Sequence, residues 1–250
     1  MTWFHNSYII CTLPVKCEGK MMEFEIDGKY SKLLEIVEKE LSGDSSHTVD
    51  HIQRVWRTAM QIAAEEKDVN LDVLKPAILL HDIARIKEDT DKSGKTDHAL
   101  LGAEMAGEIL KQMQYPDETI RKIKHCIQTH RFRSEREPVS IEAKILYDAD
   151  KVDSMGVIGV ARFYMIAGRY GEQLYSFVPV EQYTAENIIG GKANGRIKEL
   201  SKHSPNLEFE KMKHIPQKLH TAKAREIAGE RVKYMAEFFE RLRSEIVGEK

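Results

Sequence analysis

The chain has 250 residues, 42% of them hydrophobic, enough to bury a substantial core as one large domain or as a domain with an appendage. Its 38 basic and 40 acidic residues nearly cancel, which excludes a global field that would draw it to an extended nucleic-acid surface or an anionic membrane; any phosphate-binding site must be local. The odd set Cys11, Cys17 and Cys126 makes no CxxC pair and fits a reducing compartment. No run approaches the ~18 apolar residues needed to cross a bilayer, and the start MTWFHNSYIICTLPVKCEGK lacks the basic region of a signal peptide, so the expected location is the cytoplasm.

Residues 1–21 show no periodicity and are expected to form a poorly ordered extension. Leu33, Leu34, Ile36, Val37 and Leu41 mark a short amphipathic helix, and Val49, Ile52, Val55, Trp56, Ala59, Ile62 and Ala63 a longer one. The next helix is expected over 71–86, with Pro76 near its start or kinking it. Others follow over 98–113, from Pro116 as the first helical position through PDETIRKIKHCIQTH, and from about Ile141 past Asp153. The interval 170–220 carries the loop signals GGKANGR and KHSPN, and TAKAREIAGERVKYMAEFFERLRSEI closes the chain as a long helix. With no alternating strand pattern and no internal repeat, the fold is expected to be all-α.

Within AILLHDIAR (77–85) an apolar run ends in a His-Asp pair, and an aspartate is rarely buried without a partner. Helical phase places His51 with Val55, Ala59 and Ile62, and His81 with Leu74, Ala77 and Ala84. His98 falls with Leu101 and Met105, His130 continues the stripe Ile120, Ile123, Ile127, and Asp150 continues from Leu146 toward Asp153. Any one of these also reads as a hydrogen-bonded core residue. Together they offer ligands from several inward faces, and a bundle interior is where such ligands converge on a metal.

The order His51, His81-Asp82, Asp150, with HIQRVWRTA around the first and LLHDIAR around the second, resembles the HD superfamily of metal-dependent phosphohydrolases over Ser45 to Met165. TAKAREIAGERVKYMAEFF resembles the closing helix of a branch of small HD hydrolases, some of which act on nucleotides. The resemblance implies an HD-domain helical bundle over 22–170 and a C-terminal helical region, 171–250, that packs on it and supplies a cleft-lining loop. It also implies that His51, His81, Asp82 and Asp150 ligate a divalent ion (Mn, Fe, Co, Ni, Zn or Mg), with Asp82 the catalytic bridge if there are two. His98 and His130 would then be second-ion ligands or substrate contacts. Four protein ligands on a six-coordinate ion leave positions for water and a phosphate oxygen, and such an ion makes bound water acidic and screens phosphoryl charge.

Arg85 stands where many members written HDIGK carry lysine, and is a candidate to hold the scissile phosphate; its alternative is a salt bridge to Glu88 or Asp89. Arg54 is a second candidate cation for substrate, with a structural role as its alternative. The general acid is Glu88, Asp89 or no residue. The loop Gly190–Arg196 and the basic residues Lys223, Arg225 and Arg231, with Thr221, are either phosphate contacts or solvated surface. The expected activity is metal-dependent hydrolysis of a phosphoester or phosphoanhydride, above all of a nucleotide. A signalling phosphodiesterase, an alarmone hydrolase, an HD-type oxygenase and a non-enzymatic, metal-stabilised binding module are the rivals. The expected partner is a small phosphorylated molecule, and a homo-oligomer is left open.

Overall fold

A computed structural model describes residues 26, 28–41, 49–131, 136–191 and 195–249; the expected extension over 1–21 lies outside them. The described residues form an all-α fold with no strand. The helices are α1 (Ser31–Glu40), α2 (Val49–Ala63), α3 (Leu71–Leu80), α4 (Arg85–Thr90), α5 (His98–Gln112), α6 (Asp117–Thr129), α7 (Ile141–Asp153), α8 (Gly156–Tyr170), α9 (Val180–Asn187), α10 (Pro205–Met212) and α11 (Ala222–Ile246).

The central helix is α3, buried along almost its whole length, as a run of Val73, Leu74, Ala77, Ile78, Leu79 and Leu80 requires. It packs against α6 and α7, while α2 lies on α7 and α5 on α6. Asn70 starts it by accepting from the Asp72 N–H at 3.0 Å, so Pro76 falls inside the helix. Pro116 likewise takes the N-cap position, and Asp117 is the first helical residue of α6.

The single helix expected over 71–86 is two. After Leu80 the hydrogen bonds tighten to three-residue spacing, Ile83 N–H to Leu80 O at 3.2 Å and Arg85 N–H to Asp82 O at 2.8 Å, and the chain turns before α4 begins. That turn carries His81 and Asp82. The region 170–220, opaque in the sequence, holds α9, α10 and short 3₁₀ turns around a small apolar cluster of Tyr183, Ile188 and Leu207.

Helix α11 packs along α8 and against α7, sharing one apolar core with them through Ala224, Ala228, Met235 and Phe239. The α7–α8 junction is tight: Gly156 has φ +75°, and a Cβ on Gly159 would stand 2.2 Å from the Ser154 carbonyl oxygen. Gly159→Ala should therefore cost about 2–3 kcal/mol and lower the melting temperature by about 5–10 °C. A variant that melts with the wild type in circular dichroism contradicts that reading.

Candidate metal centre

Four histidines and two aspartates meet where helix ends converge. His51 comes from the first turn of α2, His81 and Asp82 from the turn after α3, His98 is the first residue of α5, His130 caps α6, and Asp150 lies on α7. All but Asp150 are at most 5% exposed. They form two groups, His51–His81–Asp150 and Asp82–His98–His130, each with ligand atoms close enough to share one ion.

Asp82 faces both groups. Its Oδ2 is 3.7 Å from Nε2 of His51 and of His81, and its Oδ1 is 3.4 Å from His98 Nε2 and 3.5 Å from His130 Nε2. Within the groups, His51 and His81 approach to 3.3 Å through their Nε2 atoms, His98 and His130 to 3.2 Å, and Asp150 Oδ1 is 3.3 Å from His51 Nε2.

The outer face of each imidazole fixes what its inner face can be. His81 Nδ1–H donates to Ile78 O at 2.7 Å and His130 Nδ1–H to Ile127 O at 2.6 Å, because a carbonyl can only accept. His98 Nδ1 faces Glu88 Oε2 at 2.7 Å and His51 Nδ1 faces Asp153 Oδ2 at 2.8 Å. Neutral His81, His98 and His130 therefore turn bare Nε2 lone pairs toward one another and toward carboxylate oxygens. Acceptors gathered at such distances without a donor repel, and a cation among them removes the conflict; imidazoles oriented by carboxylates and carbonyls are the usual surroundings of a metal. The donor set, nitrogen and carboxylate oxygen without thiolate, suits a divalent ion such as Mn, Fe, Co, Ni or Zn.

The electrostatics agree. Burial drives His81 down to about 4, with the neighbouring imidazoles adding to it. Burial also opposes charge on His51, yet hydrogen bonds with Asp150 and Asp153 outweigh it and raise His51 to about 9. Asp150 is held well below the usual carboxylate range, against burial, by Lys151, His51 and His81. The carboxylates of this cage demand positive charge.

The centre opens into a cleft of about 1010 Å³. Of the residues singled out in the sequence, His51, Asp82, Arg85, His98, His130 and Asp150 line it, with His81 behind them. Arg85 Nη1 bonds Glu88 at 2.9 Å and Nη2 lies 3.4 Å from Asp89, so the salt bridges weighed as its alternative are formed; its Nε is buried with no acceptor. Arg54 does not line the cleft. It grips Asp153 at 2.7 and 3.1 Å, behind His51. In the loop Gly190–Arg196, residues 192–194 lie outside the described residues, and Arg196 reaches the cleft, its guanidinium packed over Gly94. The α11 residues do not line it: Lys223 pairs with Glu226 and Glu65, Arg225 donates to Leu219 O, Arg231 to Val152 O, and Thr221 caps the helix.

The sequence reading missed the outer carboxylates as a group. Asp153 follows Asp150 at the spacing of one helical turn, a signal that was available; Glu88 could be placed behind His98 only once α4 was known to be separate. It also missed the cations Arg131, Lys151, Arg162 and Lys211 of the cleft wall. Glu208, beside Lys211, is held at about 2 by His203 and Lys211 against the opposing effect of burial. Because this lies below its unfolded value of 4.5, Glu208 contributes stability above about pH 4.5 that is lost as pH falls toward about 2. Across that window Glu208→Gln should lose about 1–2 kcal/mol less stability than wild type in acid unfolding followed by circular dichroism, and parallel curves contradict it.

A helical domain with a His/His-Asp/Asp centre at its helix ends defines the class. The HD domain matches residues 48–155 of this chain. Across 208 residues it is 29% identical to the uncharacterized protein YpgQ of Bacillus subtilis (strain 168), covering 82% of this chain and 86% of that one. Its fold is similar to that of an HD-superfamily hydrolase from Bacillus thuringiensis, with a TM-score of 0.63, 24% identity and coverage of 87% and 96% of the two chains. It is also similar to Bacillus subtilis YpgQ in complex with ADP, with a TM-score of 0.61, 24% identity and coverage of 86% and 93%. Among the described residues, no helix is long and apolar enough to cross a membrane.

Proposed function

We propose that this protein is a metal-dependent phosphohydrolase that cleaves a phosphoester or phosphoanhydride bond of a nucleotide with water. The observation that carries the reading is the convergence of four imidazoles on the two oxygens of Asp82 inside a cleft walled by cations. In this reading His51, His81, Asp82 and Asp150 would hold one divalent ion, and Asp82, His98 and His130 would hold a second. Ions so placed supply Lewis acidity toward water and toward phosphoryl oxygens.

The chain's own residues do the rest. Glu88 accepts from His98, Arg85 and Arg131 and so is kept ionised; it fixes the His98 ring and is not the proton donor. Arg85, braced by Glu88 and Asp89 on the cleft wall, presents its guanidinium charge to a phosphate of the substrate. Arg54 acts through Asp153, which orients His51. The cleft volume suits a nucleotide-sized ligand, and the ADP found in Bacillus subtilis YpgQ supports a nucleotide here.

The test is a metal-by-substrate screen with nucleotide mono-, di- and triphosphates and cyclic dinucleotides, read by release of phosphate or pyrophosphate. Hydrolysis that requires an added divalent ion is the expected result. A folded, metal-binding protein that hydrolyses none of them would instead be a metal-stabilised binding module.

A further inference from the structure

Lys211 is unusual for a lysine. Its side chain is 4% exposed, yet it lines the cleft. An ammonium carries three donors, and a lysine so enclosed needs them filled. Among the described residues its ammonium donates to Glu208 Oε2 at 2.8 Å. Lys211 lines the cleft, so an anionic group of a ligand bound there can take the place of water as an acceptor for its remaining donors.

The position of the ammonium is built rather than incidental. Glu208 Oε2 also lies 3.3 Å from His203 Nε2, and His203 Nδ1 lies 2.7 Å from the Tyr183 hydroxyl, the two rings stacked with centroids 5.4 Å apart. Tyr183 and His203 are both less than 5% exposed, and Tyr183 is seated in the small apolar cluster with Ile188 and Leu207. A continuous polar chain thus runs from the C-terminal helical region, through Tyr183, His203 and Glu208, to a cation on the cleft wall. Among the described residues, none of its members is hydrogen-bonded or ion-paired to a residue of the metal centre. A buried network that serves stability alone would close on itself; this one ends with donors left over at the cavity.

From this we infer that Lys211 is a substrate-binding residue, contacting an anionic group of the phosphorylated substrate, and that Tyr183, His203 and Glu208 are positioning residues that hold it there. The inference rests on the reading of the cleft as a phosphohydrolase site. It is tested with ADP as the probe, by calorimetry on metal-loaded wild type, Lys211→Met, Lys211→Arg and Tyr183→Phe, with metal content and melting temperature measured for each. Lys211→Met keeps the packed stem and removes the charge. It should weaken ADP binding at least about tenfold with metal content unchanged, while Lys211→Arg retains most of the affinity. Tyr183→Phe should weaken binding less, by about two- to fivefold, with KM rising and kcat little altered on whichever nucleotide the protein hydrolyses.

Should Lys211→Met fail to fold, Lys211→Arg and Tyr183→Phe carry the test alone, and ADP affinity unchanged in Tyr183→Phe overturns the inference. Unchanged ADP affinity in Lys211→Met, or a wild type that binds no ADP, also overturns it. Absence of hydrolysis with ADP binding still dependent on Lys211 would defeat the phosphohydrolase reading and leave the binding residue standing.

Discussion

Asp82→Ala should fold, hold at most one divalent ion and hydrolyse its nucleotide at least about 10³-fold more slowly than wild type. Asp82 alone, among the described carboxylates, presents one oxygen to each histidine pair, at 3.7 Å on one side and 3.4–3.5 Å on the other. Without it, His98 and His130 retain no carboxylate ligand between them among the described residues, and the first group keeps only Asp150 as a carboxylate ligand. Folding should survive, because the apolar faces of α3, α6 and α7 do not depend on this side chain and its loss removes a buried anion. Elemental analysis and a melting curve on the same preparation check both halves. Two ions per chain and near-normal turnover in the variant would mean that Asp82 is not the bridge.

The largest loss of stability is expected at a residue outside the centre. Asp148 on α7 is fully buried and accepts from His220 N–H at 3.0 Å, from Thr221 N–H at 2.7 Å and from the Thr221 hydroxyl at 2.7 Å. Burial raises its pKa despite these donors, so the bonds to residues 220 and 221 are what make the site tolerable for a carboxylate. Thr221 in turn caps α11, accepting from Ala224 N–H, so one carboxylate fixes the start of the longest helix against α7. Asp148→Ala strands the buried Thr221 N–H and the part-buried His220 N–H and frees the cap. The expected cost is about 3–5 kcal/mol, with a melting temperature lower by roughly 10 °C or more. Asp148→Asn, which keeps one acceptor oxygen, should lose less. A melting temperature within 2 °C of wild type, roughly the effect of 1 kcal/mol, would show that α11 docks through its apolar face alone.

Much of this was legible before any coordinates. The periodic stripes of α2, α5, α6 and α7 put His51, His98, His130 and Asp150 on inward faces because burial of the same apolar residues sets the phase of each helix. What periodicity cannot report is where a helix stops. His81 and Asp82 were phased on a helix that ends at Leu80, and it is the turn that lets Asp82 reach both histidine pairs. The charged wall of the cleft was illegible for a different reason. Lys211 and Arg131 sit in stretches whose composition is that of ordinary solvated surface, and only the packing of α9, α10 and the 3₁₀ turns over the opening brings Lys211 to the cavity. Arg54 shows the converse: helical spacing put it beside His51, and the structure turns it onto Asp153.

A cage of this composition should take divalent ions, and hydrolysis should depend on them. The most direct measurement strips the protein with a chelator, verifies by elemental analysis that no divalent ion remains, and follows nucleotide hydrolysis as manganese is returned one equivalent at a time. The expected result is no turnover in the stripped protein, recovery on addition, and a plateau at two ions per chain. Full turnover by verified metal-free protein would contradict it.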